Sequence, residues 1–205
     1  MVIQDLDFCN NGVHGIAGEE GGRNLLIKNC GFYRIGGCVW SKQQKIRFGN
    51  GIECWDIAEN VIVENCTFDD IYDSAVTHQG GGSCKPANGF TIRNNHFSRC
   101  GMAAYEQRDI LPLLAEFSGN VCLDAGKGFS HLRTEIPRRS EIWPQPMGHH
   151  IFLWRIEKET EGSRFSITDN TFGDAPYGAA VYSIINQKAE AQIVMKGNRE
   201  EKNDL

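Results

Sequence analysis

The segment Asn60–Phe68 reads NVIVENCTF, and a similar segment, NLLIKNCGF, spans Asn24–Phe32. GFTIRNNHF at Gly89–Phe97 and RFSITDNTF at Arg164–Phe172 follow the same order of residue types. Each segment has alternating apolar residues, then an asparagine or cysteine, and a phenylalanine two positions later. Because alternation with a period of two is typical of a half-buried strand, the chain is predicted to be built from repeated β-strand units.

The recurring asparagine or cysteine defines an anchor column for the repeat. With a weaker copy at the start of the chain, its members are Leu6, Cys30, Cys66, Asn95, Asn120, Asn170 and Asn198. Their spacings are 24, 36, 29, 25, 50 and 28 residues, and the spacing of 50 is interpreted as two turns with one unrecognised anchor. Strands stacked about 4.8 Å apart would lay identical side chains over one another. We therefore expect an asparagine ladder, cysteine as a small apolar substitute in it, and an aromatic stack of the phenylalanines.

This repeat resembles the right-handed parallel β-helix superfamily, which includes pectate lyases, polygalacturonases and phage tailspikes. The resemblance covers about Val2 to Asn198 and implies an all-β, right-handed, single-stranded parallel β-helix solenoid of roughly 7–8 turns. One domain is expected over residues 1–205. A local match to polygalacturonase-type glycoside hydrolases spans Asn50–Ser74, where Asp73 alone corresponds to one of the two adjacent acids of that family.

A second strand is predicted in each repeat, after the core phenylalanine and a turn. These second strands end in Trp40, Trp55, His78, Glu106, His131 and Tyr182. We expect the six residues to form one outward column along one sheet, where aromatic rings can stack on sugars and histidine or glutamate can transfer protons. His78, Glu106 and His131 would then lie close together on adjacent turns.

The column and its neighbours supply the predicted site. The predicted catalytic residues are His78, Glu106, His131 and Asp73, and the predicted substrate-binding residues are Trp40, Trp55, Gln79, Arg108, Arg133, Arg138 and Tyr182. Packing alone is the alternative role for the aromatic members, since aromatic residues are common in strands. No cofactor is predicted, although a His/Glu/His set could also hold a divalent metal such as zinc or manganese.

Two insertions are predicted beside the column, near residues 41–50 and 132–148. The second carries Arg133, Arg138, Arg139 and Trp143, which suit acidic sugars through carboxylate binding and stacking, although a solvated loop is the alternative. The strand predicted after it, His149–Glu157, could bring His149 or His150 to the cleft.

The composition limits the partners. A formal charge of −5 and a pI near 5.7 argue against nucleic acid. No apolar run approaches the roughly 18 residues of a membrane span, and the N-terminus is acidic where a secretory signal would be basic. The eight cysteines are interpreted as mostly free and buried. We expect the chain to be a fragment of a longer, secreted or periplasmic β-helix protein, or to self-associate through an uncapped N-terminal turn.

Two function classes follow from these features. The first is a carbohydrate-active enzyme acting on a polysaccharide: a lyase with a histidine base and an arginine at the uronate carboxylate, or a glycoside hydrolase with two carboxyl groups. For a hydrolase, Asp73, Asp109 or Glu53 is the candidate partner of Glu106. The second class is a non-catalytic glycan-binding or structural module of an adhesin or spike.

Overall fold

The computed structural model describes residues 1–18, 21–41, 46–80, 84–129, 148–158, 161–176, 179–185 and 192–201. These residues form 22 β-strands and no helix. Accordingly, the described part of the chain has no helix long and apolar enough to cross a membrane. The predicted all-β class is confirmed.

Three parallel sheets account for all but two of the described strands. The first sheet consists, in spatial order, of β1 (Val2–Gln4), β4 (Gly22–Lys28), β9 (Ala58–Glu64), β12 (Asn88–Arg93), β15 (Leu114–Ser118), β18 (Arg164–Thr168) and β21 (Ile193–Lys196). The second consists of β2 (Asp7–Cys9), β5 (Gly31–Ile35), β10 (Thr67–Ile71), β13 (His96–Cys100), β16 (Val121–Leu123), β19 (Thr171–Phe172) and β22 (Arg199–Glu200). The third consists of β3 (Ile16–Gly18), β8 (Ile52–Trp55), β11 (Ser74–Gln79), β14 (Ala103–Ile110), β17 (Ile151–Lys158) and β20 (Val181–Ile185).

Each described pass of the chain except the last contributes a strand to every sheet in turn, so strands that pair within a sheet come from consecutive passes. The large parallel sheets are compatible with a β-solenoid. A short antiparallel pair, β6 (Cys38–Ser41) and β7 (Ile46–Phe48), lies outside the three sheets and includes part of the predicted insertion near 41–50. The predicted insertion at 132–148 falls outside the described residues except for Gly148.

A left-handed residue precedes each anchor and turns the chain from the first sheet into the second. Asparagine, aspartate and glycine tolerate this backbone conformation better than other residues do. The residues concerned have φ between 52° and 70°: Asp5, Asn29, Asn65, Asn94, Gly119, Asp169 and Gly197. This requirement explains why the repeat carries a turn-forming residue immediately before the anchor.

The anchor residues form the predicted ladder. The Asn95 amide nitrogen Nδ2 donates to Asn120 Oδ1 at 3.1 Å, and the Asn95 backbone N–H donates to the same oxygen at 2.9 Å. Asn120 repeats both bonds to Asn170, and Asn170 repeats them to Asn198. Cysteine occupies the same slot, because Cys30 N donates to Cys66 Sγ at 3.4 Å. The ladder prediction is confirmed from Cys30 to Asn198.

Two details of the anchor column differ from the sequence-based expectation. Asn120 bonds directly to Asn170, so the interval of 50 residues is one pass with a long insertion, and the expected unrecognised anchor does not exist between them. Leu6 lies in the column, but its side chain is 52% exposed.

The phenylalanines stack as predicted along the second sheet. The first four rings of this stack belong to Phe8, Phe32, Phe68 and Phe97. The centroids of neighbouring rings are 4.6–4.9 Å apart, and their planes are nearly parallel. Cys122 takes the next position in this column, and Phe172 follows it. These rings and the inward aliphatic residues of all three sheets make one continuous core.

Candidate functional site

The outer face of the third sheet carries the candidate site. Residues of adjacent strands pair in register, so that Glu53, Thr77 and Glu106 form one column on β8, β11 and β14. Two positions further along the same strands, Trp55, Gln79 and Arg108 form a second column, which ends at Trp154. We refer to the surface carrying these two columns as the outer face.

Glu106 is held by donors on three neighbouring side chains. Its Oε2 accepts from Ser74 Oγ at 3.1 Å and from Thr77 Oγ1 at 3.3 Å. Its Oε1 accepts from Arg108 Nε at 3.1 Å and Nη2 at 2.6 Å. The Glu106 side chain is only 1% exposed, so these bonds compensate for the removal of the carboxylate from water.

Glu53 is held in a similar way but is less buried, with 14% of its side chain exposed. Its Oε2 accepts from Asn50 Nδ2 at 2.7 Å and from Gln79 Nε2 at 2.8 Å. Its Oε1 lies 3.6 Å from His14 Nε2. The backbone N–H of Asn50 donates to His14 Nδ1 at 3.0 Å, so the neutral imidazole carries its proton on Nε2, towards Glu53.

The two carboxylates stand on alternate strands of one sheet with Thr77 between them. Two strand spacings place the backbones of Glu53 and Glu106 about 9.6 Å apart. Of the three candidate partners that the sequence offers for Glu106, the register therefore puts Glu53 in its column, whereas Asp73 precedes β11. Asp109 follows Arg108 on β14, where the register with β17 shifts, and it lies outside the column of Glu106.

Arg108 is fixed from two sides. Its guanidinium pairs with Glu106, and its Cζ lies 4.3 Å from the centroid of the Trp154 ring. Trp154 stacks on Phe152 on β17, with ring centroids 5.9 Å apart. Together with Met102, these aromatic side chains form a buried cluster separate from the main core. The cluster holds Arg108 in one orientation, because a planar guanidinium that both stacks and bonds has little freedom left.

The prediction that His78 lies in the outward column beside Glu106 is wrong. His78 pairs with Gln107, not Glu106, and its ring is fully buried against Phe90 in the core. Neighbouring residues of a strand point to opposite faces of the sheet, so a shift of one residue moves the imidazole from the outer face to the interior. Burial lowers the pKa of His78, since a charged ring would lose its hydration there.

The His78 ring belongs to an interior hydrogen-bond chain. Tyr105 Oη donates to Gln107 Oε1 at 2.6 Å, and Gln107 Nε2 donates to Ile110 O at 2.9 Å, which sets the orientation of the amide. We therefore assign the 2.9 Å contact from Gln107 Nε2 as a donor to His78 Nδ1. The ring proton then lies on Nε2, which is 3.7 Å from Cys84 Sγ.

The two histidines before β17 differ in position. His149 stacks on Phe152 at 6.4 Å, and its Nδ1 donates to Ala179 O at 2.6 Å. His150 instead stacks on Phe172 of the core at 5.6 Å. Burial lowers the pKa of both imidazoles. Of the two, only His149 contacts a residue of the outer-face cluster.

The remaining predicted residues are distributed as follows. Asp73 is buried and its Oδ2 accepts from Gly49 N at 2.9 Å, which ties it to a backbone turn. Trp40 lies on β6 in the antiparallel pair, away from the column, and its side chain is outside the described structure. The backbone of Tyr182 follows Glu106 and Phe152 in one column, as predicted. Its side chain, like that of Trp40, is outside the described structure. His131, Arg133, Arg138 and Trp143 fall in the range 130–147, outside the described residues.

No three histidine, cysteine, aspartate or glutamate side chains of the described residues are grouped as a metal site. For the hypothetical His/Glu/His site, His78 and Glu106 face opposite sides of the third sheet. These two residues therefore cannot share one ion in this structure.

Sequence reasoning missed His14, Asn50 and Ser74, each of which contacts an outer-face carboxylate or orients a residue that does. His14 lies in a weak copy of the repeat, where no pattern singles it out. The register of β11 and β14 was available, because Ser74 and Ala103 are the small residues that begin the two strands and they do pair. Counting from them would have aligned Thr77 with Glu106.

Comparison with protein families, with curated proteins and with solved structures finds no match to this chain.

Proposed function

We propose that this chain is a carbohydrate-active enzyme, a glycoside hydrolase or polysaccharide lyase, that acts on a polysaccharide bound along the outer face. In this proposal the three sheets are the sides of a right-handed parallel β-helix of roughly 7–8 turns, and the outer face is the floor of its groove. The observation that carries the proposal is the alignment of Glu53 and Glu106 in one column.

The spacing of this pair favours hydrolysis over elimination. Inverting glycoside hydrolases hold two carboxyl groups about 6.5 to 9.5 Å apart, one to protonate the leaving oxygen and one to activate water. The backbones of Glu53 and Glu106 are about 9.6 Å apart, which allows their side-chain carboxyl groups to lie within this range. A lyase that uses His78 as its base is disfavoured, because that imidazole faces the interior.

The neighbouring side chains suit a sugar ligand. Trp55 is 40% exposed and presents a ring for stacking beside Gln79, an amide that can bond to hydroxyl groups. Glu53, the more exposed carboxylate, has the Nε2 of His14 beside it. In the hydrolase candidate we assign the protonation of the leaving oxygen to Glu53 and the activation of water to Glu106, whose carboxylate pairs with Arg108.

A non-catalytic glycan-binding or structural module is the second candidate, and one observation favours it. Glu106 is almost fully buried, and four hydrogen bonds occupy both of its oxygens. A carboxylate held in this way can serve simply to keep the strands of the third sheet together. Trp55 and Gln79 would then bind sugar without chemistry.

A panel of acidic and neutral polysaccharides tests both candidates. New reducing ends without unsaturated products indicate a hydrolase, and absorbance from unsaturated products indicates a lyase. We expect Glu53→Gln and Glu106→Gln to reduce turnover by about 10²- to 10⁴-fold, the usual contribution of general acid–base catalysis. The matched control is Glu116→Gln, a carboxylate on the first sheet that should leave turnover unchanged. Binding of a glycan without turnover would favour the glycan-binding form of the second candidate. The absence of binding to every glycan in the panel would overturn the enzyme and the glycan-binding module, and would favour the structural form.

A further inference from the structure

We propose that the outer face accepts one end of a glycan chain and does not accept the interior of the chain. This inference rests on the proposed glycan binding, and it narrows the ligand to chain ends. Two observations carry it. The outer face is open to water over β8 but closes at the next strand, and a buried hydrogen-bond acceptor without a donor lies at the boundary.

The exposure of the outward side chains changes sharply between β8 and β11. On β8, Trp55 is 40% exposed and Glu53 is partly exposed. Their partners in register on β11 are Gln79, which is 6% exposed, and Thr77, which is fully buried. The outer face is therefore open to water over β8 and closed at β11.

The closed part of the outer face extends to β17. Phe152 is fully buried and Trp154 is 6% exposed, although both belong to the outward columns. A tryptophan is seldom buried to this extent unless other atoms surround it. The ring of His149 lies against Phe152 with the two planes 9° apart, so it contributes to the cover. Arg108 on β14 keeps partial exposure, so water can still reach the side chain that pairs with Glu106.

This closure limits which part of a glycan can bind. A glycan that follows the outward columns from Trp55 meets the closed part after one strand spacing, about 4.8 Å. An interior sugar is linked on both sides and needs an open face on both sides. A terminal sugar is linked on one side and can stop at β11. The terminal sugar would then lie over Glu53 and Gln79, with the rest of the chain leaving past Trp55.

Gln79 supplies a recognition group at the boundary. Its Nε2 donates to Glu53 Oε2 at 2.8 Å, so its Oε1 lies beside the same carboxylate. This Oε1 is buried and accepts no hydrogen bond from any residue that the structure describes. A buried acceptor without a donor is unfavourable, and a hydroxyl group of a ligand would satisfy it.

A chain end carries the matching donor. The terminal sugar has a hydroxyl group at the position where an interior sugar has a glycosidic bond, and a glycosidic oxygen has no hydrogen to donate. A site that bonds to a hydroxyl group discriminates strongly against an analogue that lacks it. We therefore assign Gln79 Oε1 as the acceptor for the terminal hydroxyl group.

Isothermal titration calorimetry of the 205-residue chain with linear hexasaccharides of glucose, xylose, mannose and galacturonate tests this inference. Each probe is used in three forms: with both ends free, as the methyl glycoside, and with a methyl ether on the hydroxyl group through which the other end would continue. For a sugar that binds, we expect one of the two caps to weaken affinity about 10- to 100-fold and the other to have no effect.

The contrary outcomes are distinct. Equal affinity for the three forms overturns the inference and leaves the proposed function standing. Equal weakening by both caps also overturns it, because one end must extend over the open side. Failure of every hexasaccharide to bind overturns the inference together with the proposed glycan binding.

Gln79→Met tests the assigned acceptor with a side chain of similar length. We expect this variant to bind the free and the capped hexasaccharides equally weakly. Gln4→Met is the matched control, since Gln4 is an exposed glutamine on β1, and it should keep the preference of the parent chain for the free end. Circular dichroism establishes that both variants are folded.

A folded Gln79→Met variant that keeps the parent's preference for the free end overturns the assignment of Gln79 Oε1. If this variant does not fold, the comparison of capped and free hexasaccharides on the parent chain decides the inference by itself.

Discussion

Thr77 Oγ1 donates to Glu106 Oε2 at 3.3 Å, and this contact records the register between β11 and β14. It places Thr77 on the outer face and the following residue, His78, in the interior. The imidazole lies near Phe90 and bonds to Gln107. The consequences of replacing His78 are therefore expected in stability before they are expected in activity.

His78→Ala should lower the free energy of unfolding by about 3 kcal/mol, because it leaves a cavity and removes the partner of buried Gln107. Urea denaturation followed by circular dichroism measures the change. His96→Ala is the control, since His96 is an exposed histidine on β13, and its effect should stay within about 0.5 kcal/mol. An unchanged midpoint for His78→Ala would contradict the interior position of the ring.

The ladder predicts a difference between two substitutions of Asn95. Asn95→Ala should lower the free energy of unfolding by about 3 kcal/mol. The N–H of Cys66 loses its acceptor at 2.8 Å, and the hydrogen bonds donated by the Asn95 side-chain amide disappear. Asn95→Cys should cost less, since a sulfur can accept in this slot, as Cys66 Sγ does from Cys30 N. Urea denaturation of the two variants decides the matter, and equal losses would show that the slot does not depend on an acceptor.

Stability should fall on the acid side through the buried histidines. Burial lowers the pKa of His78, His149 and His150, whereas in the unfolded chain such groups titrate near about 6.5. Below that pH the unfolded chain binds more protons than the folded one, so the free energy of unfolding decreases as the pH falls further. Above it, the contribution is independent of pH.

Urea denaturation at a series of pH values from neutral to mildly acidic measures this slope. His78→Asn should make it shallower, even though the variant is less stable at neutral pH, because one of the three groups no longer titrates. His96→Asn should leave the slope as it is. A free energy of unfolding that rose on acidification would require these rings to gain protons on folding, contrary to their burial.

Trp55→Ala should weaken glycan binding about tenfold without affecting the fold, since the ring is 40% exposed and contributes through stacking. Leu114→Ala removes a comparably exposed apolar side chain from the first sheet and should leave affinity unchanged. Isothermal titration with a polysaccharide found in the panel compares the two. Equal affinity of the Trp55 variant and the parent chain would move the proposed binding surface away from the outer face.

The sequence by itself determined the repeat, the all-β class, the anchor ladder and the phenylalanine stack. Each of these properties follows from a short pattern. The alternation with a period of two and the turn residue before each anchor both lie within a segment of about ten residues. The pairing of Cys66 with Asn95 was predictable for the same reason: both occupy the same place in the pattern.

Tertiary structure alone decided which polar residues meet on the third sheet. A shift of one residue between neighbouring strands reverses which side chains face outward. This is why Glu106 meets Thr77 and Glu53 meets Gln79, while His78 turns inward. The starts of β11 and β14 indicate that Thr77 lies beside Glu106, but the contacts of Glu53 with Gln79 and His14 join residues on different passes of the chain, and no local pattern contains that information.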